Sequence, residues 1–352
     1  MILRLWPGTP EARVAAITAM LETSGVRTSR SPEMNRPIIA TLDKVDSELA
    51  GRIDALDEVE SVVHPVGEWR RVDSSFRDGP SVVRVGGVPV GGGSVVVIAG
   101  PCSVETPEQL DDAARCAHKA GAHILRGGAF KPRTSPYAFQ GLGQEGLYLL
   151  KEAGLRYGMP IISEIMDAAQ LPAFLDHDVD CLQIGARNMQ NFTLLKSVAT
   201  ARRPVLLKRG LSATIKEWLQ SAEYLAAHGC DNVIFCERGI RTFEPATRNT
   251  LDLTVLPLMQ QWSHLPIMVD PSHAAGIPGL IPPLSRAALA AGADGLAVEV
   301  HARPEDAKSD GGQALLPGEL AGLVADARVY AAVGGRHLAQ QLPRPVGRPT
   351  GG

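Results

Sequence analysis

The sequence predicts an α/β protein in which a (β/α)8 TIM barrel follows a small βαββαβ ferredoxin-like domain. From residue 95 onward, short apolar segments alternate with helical segments eight times over roughly 240 residues, as in a barrel of eight βα units. The first 65 residues follow a different order, in which four short strands are interrupted twice by a helix. A doubly wound open sheet is the alternative, but no G-x-G-x-x-G segment opens the alternating pattern.

The N-terminal domain is predicted to span residues 1–65. Its strands are expected at 2–6, 25–30, 37–42 and 59–64. Two sets of apolar residues recur between them at helical spacing: Val14, Ile17 and Leu21, then Leu49, Ile53 and Leu56. This domain shows no cluster of chemically active residues, so we expect it to regulate the protein and not to catalyse.

A connecting segment is predicted over residues 66–94. Residues 66–80 are polar and rich in Arg and Asp, which is typical of a linker. Apolar residues at 81–85 and 88–90 flank Gly86 and Gly87, a pair that favours a two-residue hairpin turn. We expect this hairpin to cover the floor of the barrel, which should span residues 95–340. The final segment, 341–352, is rich in Pro, Gly and Arg and is predicted to be disordered.

Composition excludes several classes of protein. A net charge of −3 gives no basis for nucleic-acid binding, so any anion site must be a local concentration of cations. The sequence shows no secretory signal and no apolar run near the roughly 20 residues of a membrane span. The five cysteines are an odd number without zinc-finger spacing. These features favour a cytoplasmic protein whose cysteines are thiols.

The eight predicted barrel strands end beside residues that carry chemistry. The strands are expected at 95–99, 123–125, 160–163, 181–184, 205–208, 233–236, 267–269 and 295–298. In such barrels the working residues follow the carboxyl ends of the strands. Those residues here are Cys102, Arg126, Lys131, Glu164, Ala186, Arg187, Lys208, Arg238, His273, Glu299 and Asp310. A lone Cys usually fills a core and a lone Arg is usually solvated, but their joint recurrence after the strands predicts one site.

The loop after the second strand is the most distinctive segment. Arg126, Lys131 and Arg133 lie close together there without acidic neighbours, while Gly127 and Gly128 permit a tight turn. A solvated basic loop is the alternative interpretation. Cations on a constrained loop after a strand favour binding of a phosphate or a carboxylate.

Four residues from distant parts of the chain suit a divalent transition metal. Cys102, His273, Glu299 and Asp310 combine sulfur, nitrogen and oxygen donors, whereas magnesium prefers oxygen ligands throughout. Only a closed barrel would bring them together. His301 is near Glu299 in the sequence, and we leave it out of this set.

The segment Leu-Arg-Gly-Gly-Ala-Phe-Lys-Pro-Arg-Thr-Ser, residues 125–135, closely resembles the substrate loop of 3-deoxy-D-arabino-heptulosonate-7-phosphate (DAHP) synthases. The similarity extends through most of the barrel and more loosely into the N-terminal domain. It is closest to the subgroup with an N-terminal ferredoxin-like regulatory domain. These enzymes condense phosphoenolpyruvate with erythrose 4-phosphate in the shikimate pathway, which leads to the aromatic amino acids.

The resemblance implies a role for each candidate residue. Cys102, His273, Glu299 and Asp310 would bind one divalent metal ion: manganese, iron, cobalt or zinc. The phosphate of phosphoenolpyruvate would be held by Arg187 and Arg238, and its carboxylate by Arg126, Lys131 and Lys208. The acceptor phosphate would meet Arg133 and Thr134, with Pro132, Ala186 and Asp310 as further substrate contacts. Glu164 would hold water, Lys131 would donate a proton, and the base stays open between Glu164, His273 and a metal-bound hydroxide.

Two alternative functions are a sister enzyme of different acceptor specificity and a barrel without catalytic activity. The sister enzymes that make 3-deoxy-D-manno-octulosonate 8-phosphate from arabinose 5-phosphate typically carry Lys-Ala-Asn-Arg-Ser where this chain has Lys-Pro-Arg-Thr-Ser at 131–135. A catalytically silent barrel that senses a metabolite should lack at least one ligand or phosphate-binding Arg, and none is missing. The resemblance also implies a cytoplasmic homotetramer that is inhibited by tyrosine or phenylalanine through the N-terminal domain.

Overall fold

The computed structural model describes residues 1–33 and 35–340, so the predicted tail at 341–352 lies outside the described residues. The N-terminal elements follow the predicted order: β1 (Ile2–Leu5), α1 (Glu11–Thr23), β2 (Thr28–Arg30), β3 (Ile38–Thr41), α2 (Ser47–Asp54) and β4 (Val59–Val63). The four strands form an antiparallel sheet in the order β2-β3-β1-β4. Leu56 lies just beyond α2 and still packs against the apolar cluster of this domain.

Successive side chains of β1 and β3 point to opposite faces of the small sheet, and both faces are apolar. Leu3, Leu5 and Ile39 pack under both helices. Their neighbours in sequence point to the opposite face, where Ile2 and Ile38 contact Phe76 of the connecting segment. The side chain of Phe76 is only 1% exposed, so the N-terminal domain is seated on this segment.

The connecting segment is anchored to the barrel despite its polar composition. Trp69 and Val72 are buried in the main apolar cluster of the barrel, and Trp69 stacks on Trp262. The Glu223 carboxylate accepts the backbone N–H groups of Arg71 and Val72. These contacts mean that residues 69–76 serve as the base on which the N-terminal domain rests.

The predicted hairpin forms from β5 (Val83–Val85) and β6 (Val88–Val90), with Gly86 and Gly87 both at positive φ. Its four buried valines pack against inward-facing residues of the barrel strands, among them Ile98 and Met268. The hairpin therefore closes the amino-terminal end of the barrel, as the sequence predicted, and leaves the opposite end open.

All eight predicted barrel strands are present and parallel. They are β7 (Ser94–Gly100), β8 (Ile124–Arg126), β9 (Ile161–Glu164), β10 (Cys181–Ile184), β11 (Val205–Lys208), β12 (Val233–Glu237), β13 (Ile267–Val269) and β14 (Gly295–Glu299). Pairing of β14 with β7 closes the barrel. A short final strand, β15 (His337–Leu338), also pairs with β7.

The outer layer consists of helices that pack their apolar faces on the strands. They are α3 (Pro107–Ala120), α4 (Gln144–Arg156), α5 (Leu171–Asp176), α6 (Phe192–Thr200), α7 (Ile215–Ala227), α8 (Val255–Trp262), α10 (Ile281–Ala290) and α11 (Pro317–Val333). The short helix α9 (Pro271–Ala275) follows directly after the carboxyl end of β13. Among the described residues, no helix combines the length and apolarity needed to cross a bilayer. The five cysteines are all free thiols.

A buried histidine joins the connecting segment to the barrel and should make this junction sensitive to acid. His264 Nε2 donates to the carbonyl of Arg71, and Nδ1 accepts from the Ser81 hydroxyl, each at 2.8 Å. Burial lowers the pKa of His264 to about 4. The unfolded chain takes up a proton near pH 6.5 and the folded one only near pH 4, so stability is lost as pH falls through this window, by roughly 3 kcal/mol.

Comparison with His264→Gln isolates this contribution. Burial raises the pKa of Asp294 to about 6, which acts with the opposite sign over nearly the same range and would mask the effect in the wild type alone. We expect the difference in unfolding free energy between wild type and His264→Gln to shrink by roughly 3 kcal/mol from pH 7 to pH 4, measured by urea denaturation. A difference that stays constant with pH would contradict this assignment.

Candidate active site

The carboxyl ends of the barrel strands surround a cavity of about 560 Å3. Most of the predicted site residues line it: Lys131, Pro132, Arg133, Thr134, Glu164, Ala186, Arg187, Lys208, Arg238, His273 and Asp310. Cys102, Arg126 and Glu299 are not in its lining: Cys102 and Glu299 contact residues of its floor, and Arg126 pairs with Glu299. The structure therefore brings together every residue that the sequence predicted for the site.

Cys102, His273, Glu299 and Asp310 converge at the floor of the cavity. One ligand atom from each lies within 4.8 Å of the ligand atoms of the others. Cys102 Sγ is 3.4 Å from Asp310 Oδ2, and His273 Nε2 is 3.4 Å from Glu299 Oε1. His301 is buried but does not belong to this group.

The chemistry of this donor set fits a divalent metal ion. Burial, and then the negative charge of Glu299, raises the pKa of the Cys102 thiol to about 12. A thiolate next to two carboxylates is thus unfavourable unless a strong positive charge joins them, which a transition metal supplies. One imidazole, one sulfur and two carboxylates match the ligand preferences of manganese, iron, cobalt or zinc.

Two buried cations contact these candidate ligands directly. Lys131 Nζ lies 3.0 Å from Cys102 Sγ, and Arg126 Nη2 lies 3.0 Å from Glu299 Oε1. Burial would lower the pKa of Lys131, but the negative charge of Cys102 when ionised, its hydrogen bond to Lys131 and the charge of Glu299 raise it above its ordinary value. Lys131 therefore stays charged and can hold an anion or release a proton to a stronger base.

Two arginines of the site, among several in the described part of the chain, have a buried donor without a hydrogen-bond partner. Nη1 of Arg126 and Nη1 of Arg238 are both inaccessible to water and make no hydrogen bond. A buried, unpaired guanidinium donor is costly, and a bound anion removes the cost. Because Arg238 lines the cavity and Arg126 lies beside Lys131 at its floor, both arginines indicate an anionic ligand.

A buried acid links the basic residues to His273. Asp270, the residue directly after β13, accepts from Lys208 Nζ at 2.5 Å and from His273 Nδ1 at 2.8 Å. Burial would raise the pKa of Asp270, but the charges of His273 and Lys208 hold it well below its usual range. The sequence analysis did not identify Asp270, and the available signal was its position directly after a predicted strand, three residues before His273.

Glu164 projects into the cavity from the end of β9, and Gln183 holds it by a 3.0 Å hydrogen bond to Oε2. Its other oxygen, Oε1, approaches the backbone so closely that a Cβ on Gly185 would lie 2.0 Å from it. The absence of a side chain at Gly185 is thus what permits this position of the carboxylate.

The basic loop reaches the metal-ligand group through a serine that sequence reasoning did not identify. Arg133 Nη1 donates to Ser309 Oγ at 2.9 Å, and this hydroxyl lies 3.2 Å from Cys102 Sγ. Ser309 is buried and precedes Asp310, whose φ of +51° is unusual for a residue other than glycine. No sequence pattern marks such a contact, because it depends on where two distant loops meet.

Two further arginines in the cavity wall, Arg241 and Arg248, were also missed. Arg248 Nη1 donates to Gln313, which in turn donates to Glu299 at 2.6 Å. Both arginines lie in the long segment after β12, beyond the strand end where the sequence analysis placed functional residues. They add positive charge to a cavity that is already lined by five predicted cations, with Arg126 beside Lys131 at its floor.

Fold and site together define a (β/α)8-barrel enzyme with an anion-binding cavity above a group of four candidate metal ligands. The DAHP synthetase I family model matches residues 75–329, and the chain belongs to this family. It is 46% identical over 315 residues to the phospho-2-dehydro-3-deoxyheptonate aldolase of Thermotoga maritima, covering 90% of this chain and 93% of the relative.

Other relatives agree with this assignment. A crystal structure of the DAHP synthase of T. maritima superposes with a TM-score of 0.76 at 44% identity, covering 96% of this chain and 98% of that one. A 2-dehydro-3-deoxyphosphooctonate aldolase of Koribacter versatilis is 31% identical over 253 residues, covering 66% of this chain and 89% of the relative.

Proposed function

We propose that this protein condenses phosphoenolpyruvate, erythrose 4-phosphate and water into DAHP and phosphate, with one divalent metal ion at Cys102, His273, Glu299 and Asp310. The observation that carries the proposal is that Arg126 and Arg238 each have a buried guanidinium donor with no partner among the described residues, at a cavity whose floor holds four candidate ligands. A metal ion held there would polarise the aldehyde of the acceptor as a Lewis acid.

The residues of the cavity divide between the two substrates. Arg187 and Arg238 would hold the phosphate of phosphoenolpyruvate, where a guanidinium fork matches the geometry of phosphate oxygens. Arg126, Lys131 and Lys208 would surround its carboxylate deeper in the cavity, where each is buried. This orientation turns C3 of phosphoenolpyruvate toward the acceptor aldehyde.

The acceptor would enter along the basic loop. Arg133 and Thr134 line the outer part of the cavity and would bind the phosphate of erythrose 4-phosphate, with Pro132 shaping the wall between them. Ala186 and Asp310 would contact the substrates from the opposite loops. Greater identity to the heptonate relative than to the octonate relative, 46% against 31%, supports the four-carbon acceptor.

The remaining steps need water and a proton. Glu164 would hold the water that adds at C2 after C3 has attacked the aldehyde, and Lys131 would donate a proton. Phosphate then leaves with cleavage of the C–O bond. His273 is the other candidate base that the resemblance implies, but Asp270 engages its Nδ1 and its Nε2 would bind the metal, which favours Glu164.

Isotopic labelling tests this sequence of bonds. With the reaction run in H2 18O, water that attacks C2 leaves the released phosphate unlabelled, and mass spectrometry of the phosphate measures this. Labelled phosphate would mean attack of water on phosphorus, and the proposed condensation would be wrong.

Gly185→Ala should test the role of Glu164 without altering Glu164 itself. A methyl group at residue 185 would displace the carboxylate, so we expect kcat to fall about 100-fold, with substrate KM values changed much less. Gly279→Ala is the matched control, since a Cβ there meets no atom within 4 Å. Unchanged kcat in Gly185→Ala would remove Glu164 from the chemistry.

The N-terminal domain would regulate the enzyme. Tyrosine or phenylalanine would bind to it and favour a position in which the domain covers the mouth of the barrel. Separately, the active form would be a homotetramer. The support for regulation is that the N-terminal sheet packs on Phe76 of the connecting segment, a contact that another position of the domain could replace. Light scattering on the purified protein tests the tetramer.

Removing the N-terminal domain should abolish inhibition and keep activity, provided that the residues which fix the connecting segment to the barrel, Trp69 and Val72, remain. A chain beginning at Gly67 retains Trp69 and Val72, so we expect turnover within about threefold of the full chain and no response to either amino acid. A chain beginning at Ser75 loses the buried Trp69 and should be less stable by about 3–5 kcal/mol. Inhibition that persists in the chain from Gly67 would place the effector site in the barrel.

A further inference from the structure

Asp270 is fully buried and gathers three donors on one carboxylate. Oδ1 accepts the backbone N–H of His273 at 2.9 Å, while Oδ2 accepts both His273 Nδ1 at 2.8 Å and Lys208 Nζ at 2.5 Å. None of the proposed substrate or metal contacts includes Asp270. It therefore joins a candidate metal ligand to a cation from the donor side of the cavity.

The bond to Asp270 determines which ring nitrogen of His273 is free. A carboxylate has no hydrogen to donate, so Nδ1 must carry the proton in this hydrogen bond. Nε2 is then left with a lone pair, and this atom is the one that faces Glu299 Oε1 at 3.4 Å within the metal-ligand group. An acid behind a histidine commonly fixes the ligating tautomer in this way.

We infer that Asp270 is a positioning residue that holds His273 in its metal-binding tautomer and shares the same oxygen with Lys208, so that metal binding and donor binding depend on one carboxylate. The inference rests on the function proposed above. A purely structural role for Asp270 would not predict this pattern. The inference predicts that a change at Asp270 weakens metal binding and donor binding and leaves acceptor binding unaffected.

Asp270→Asn reverses the hydrogen bond with almost no change in size. If the amide NH2 faces His273 Nδ1 and Lys208 Nζ, it forces the histidine proton onto Nε2, the nitrogen that must be bare to bind metal. If the amide is turned round, its NH2 instead faces the backbone N–H of His273, and two buried donors oppose each other. Either orientation disturbs His273.

The test is titration of metal-free protein with Co2+ alone, followed by absorption of the thiolate–cobalt charge transfer, which reports binding without turnover. We expect Asp270→Asn to bind Co2+ about 10–100-fold more weakly than wild type. Its KM for phosphoenolpyruvate should rise, and its KM for erythrose 4-phosphate should stay within about twofold. Asp176→Asn, on the exposed face of α5, makes the same change away from the site and should match wild type.

A second variant keeps the inference testable if Asp270→Asn does not fold, which circular dichroism would reveal. Lys208→Gln leaves the Asp270–His273 bond in place, so Co2+ affinity should stay within about threefold of wild type while the KM for phosphoenolpyruvate rises. Loss of Co2+ binding in Lys208→Gln equal to that in Asp270→Asn would mean that the Lys208–Asp270 contact and not the His273 tautomer controls the metal, which overturns the inference.

The remaining outcomes separate this inference from the proposed function. A folded Asp270→Asn protein that binds Co2+ as tightly as wild type overturns the inference and leaves the metal site standing. Wild type that binds no Co2+ overturns the metal site and this inference together.

Discussion

Cys102→Ala should lower kcat by at least about 1,000-fold while the protein keeps its fold. Cys102 supplies one of four donors within 4.8 Å of one another, and a metal that polarises a carbonyl contributes several kcal/mol to the transition state, at 1.36 kcal/mol for each factor of ten. Alanine leaves the small buried volume nearly filled, so circular dichroism should be unchanged. The rate is read from the loss of phosphoenolpyruvate absorbance.

Removal of the metal from the wild type by a chelator should have the same effect on turnover as Cys102→Ala. A chelator should abolish turnover, and added divalent metal should restore it in wild type but not in Cys102→Ala. Cys116→Ala is the control, since Cys116 is a half-buried thiol on α3 outside the site. Full activity in Cys102→Ala would show that Cys102 does not hold an essential metal.

Arg187→Ala and Arg133→Ala should separate the two substrates. Loss of a charged hydrogen bond to phosphate costs about 2–3 kcal/mol, which corresponds to roughly 30–150-fold in KM. We expect Arg187→Ala to raise the KM for phosphoenolpyruvate by this factor and to leave the KM for erythrose 4-phosphate nearly unchanged. Arg133→Ala should raise the KM for erythrose 4-phosphate and leave that for phosphoenolpyruvate nearly unchanged, because Arg133 lies on the basic loop proposed to bind the acceptor phosphate.

Arg286→Ala controls for the loss of a positive charge. Arg286 is on α10, where it pairs with Asp326 on the outer layer of the barrel. Steady-state kinetics with each substrate varied in turn measures all three variants. Equal effects of Arg187→Ala and Arg133→Ala on both substrates would contradict the division of the cavity.

Local sequence patterns were sufficient to predict most of the fold. The barrel strands are short, buried on both faces and separated by helices, so each is visible as an apolar run followed by a change of period. Strand ends then located the site, because the carboxyl ends of parallel barrel strands share one mouth. The four candidate metal ligands were the exception, since their separation in sequence gives no local signal and their grouping rested on family resemblance.

Contacts between distant loops were beyond sequence reasoning. Ser309 joins Arg133 to Cys102, and nothing in the neighbourhood of any of these residues predicts that meeting. The connecting segment was judged from its polar composition, which hid the burial of Trp69 and Phe76. Two large aromatic residues within a polar segment were the available signal, since such side chains are seldom left in water without a role.

The measurement that tests the central claim most directly is identification of the product by mass spectrometry, with phosphoenolpyruvate supplied beside either erythrose 4-phosphate or arabinose 5-phosphate. With metal present, we expect the seven-carbon DAHP to form from erythrose 4-phosphate at least about 100-fold faster than the eight-carbon product forms from arabinose 5-phosphate. With chelator present, neither product should form. Preferential formation of the eight-carbon product, or equal formation of DAHP with and without metal, would contradict the proposed function.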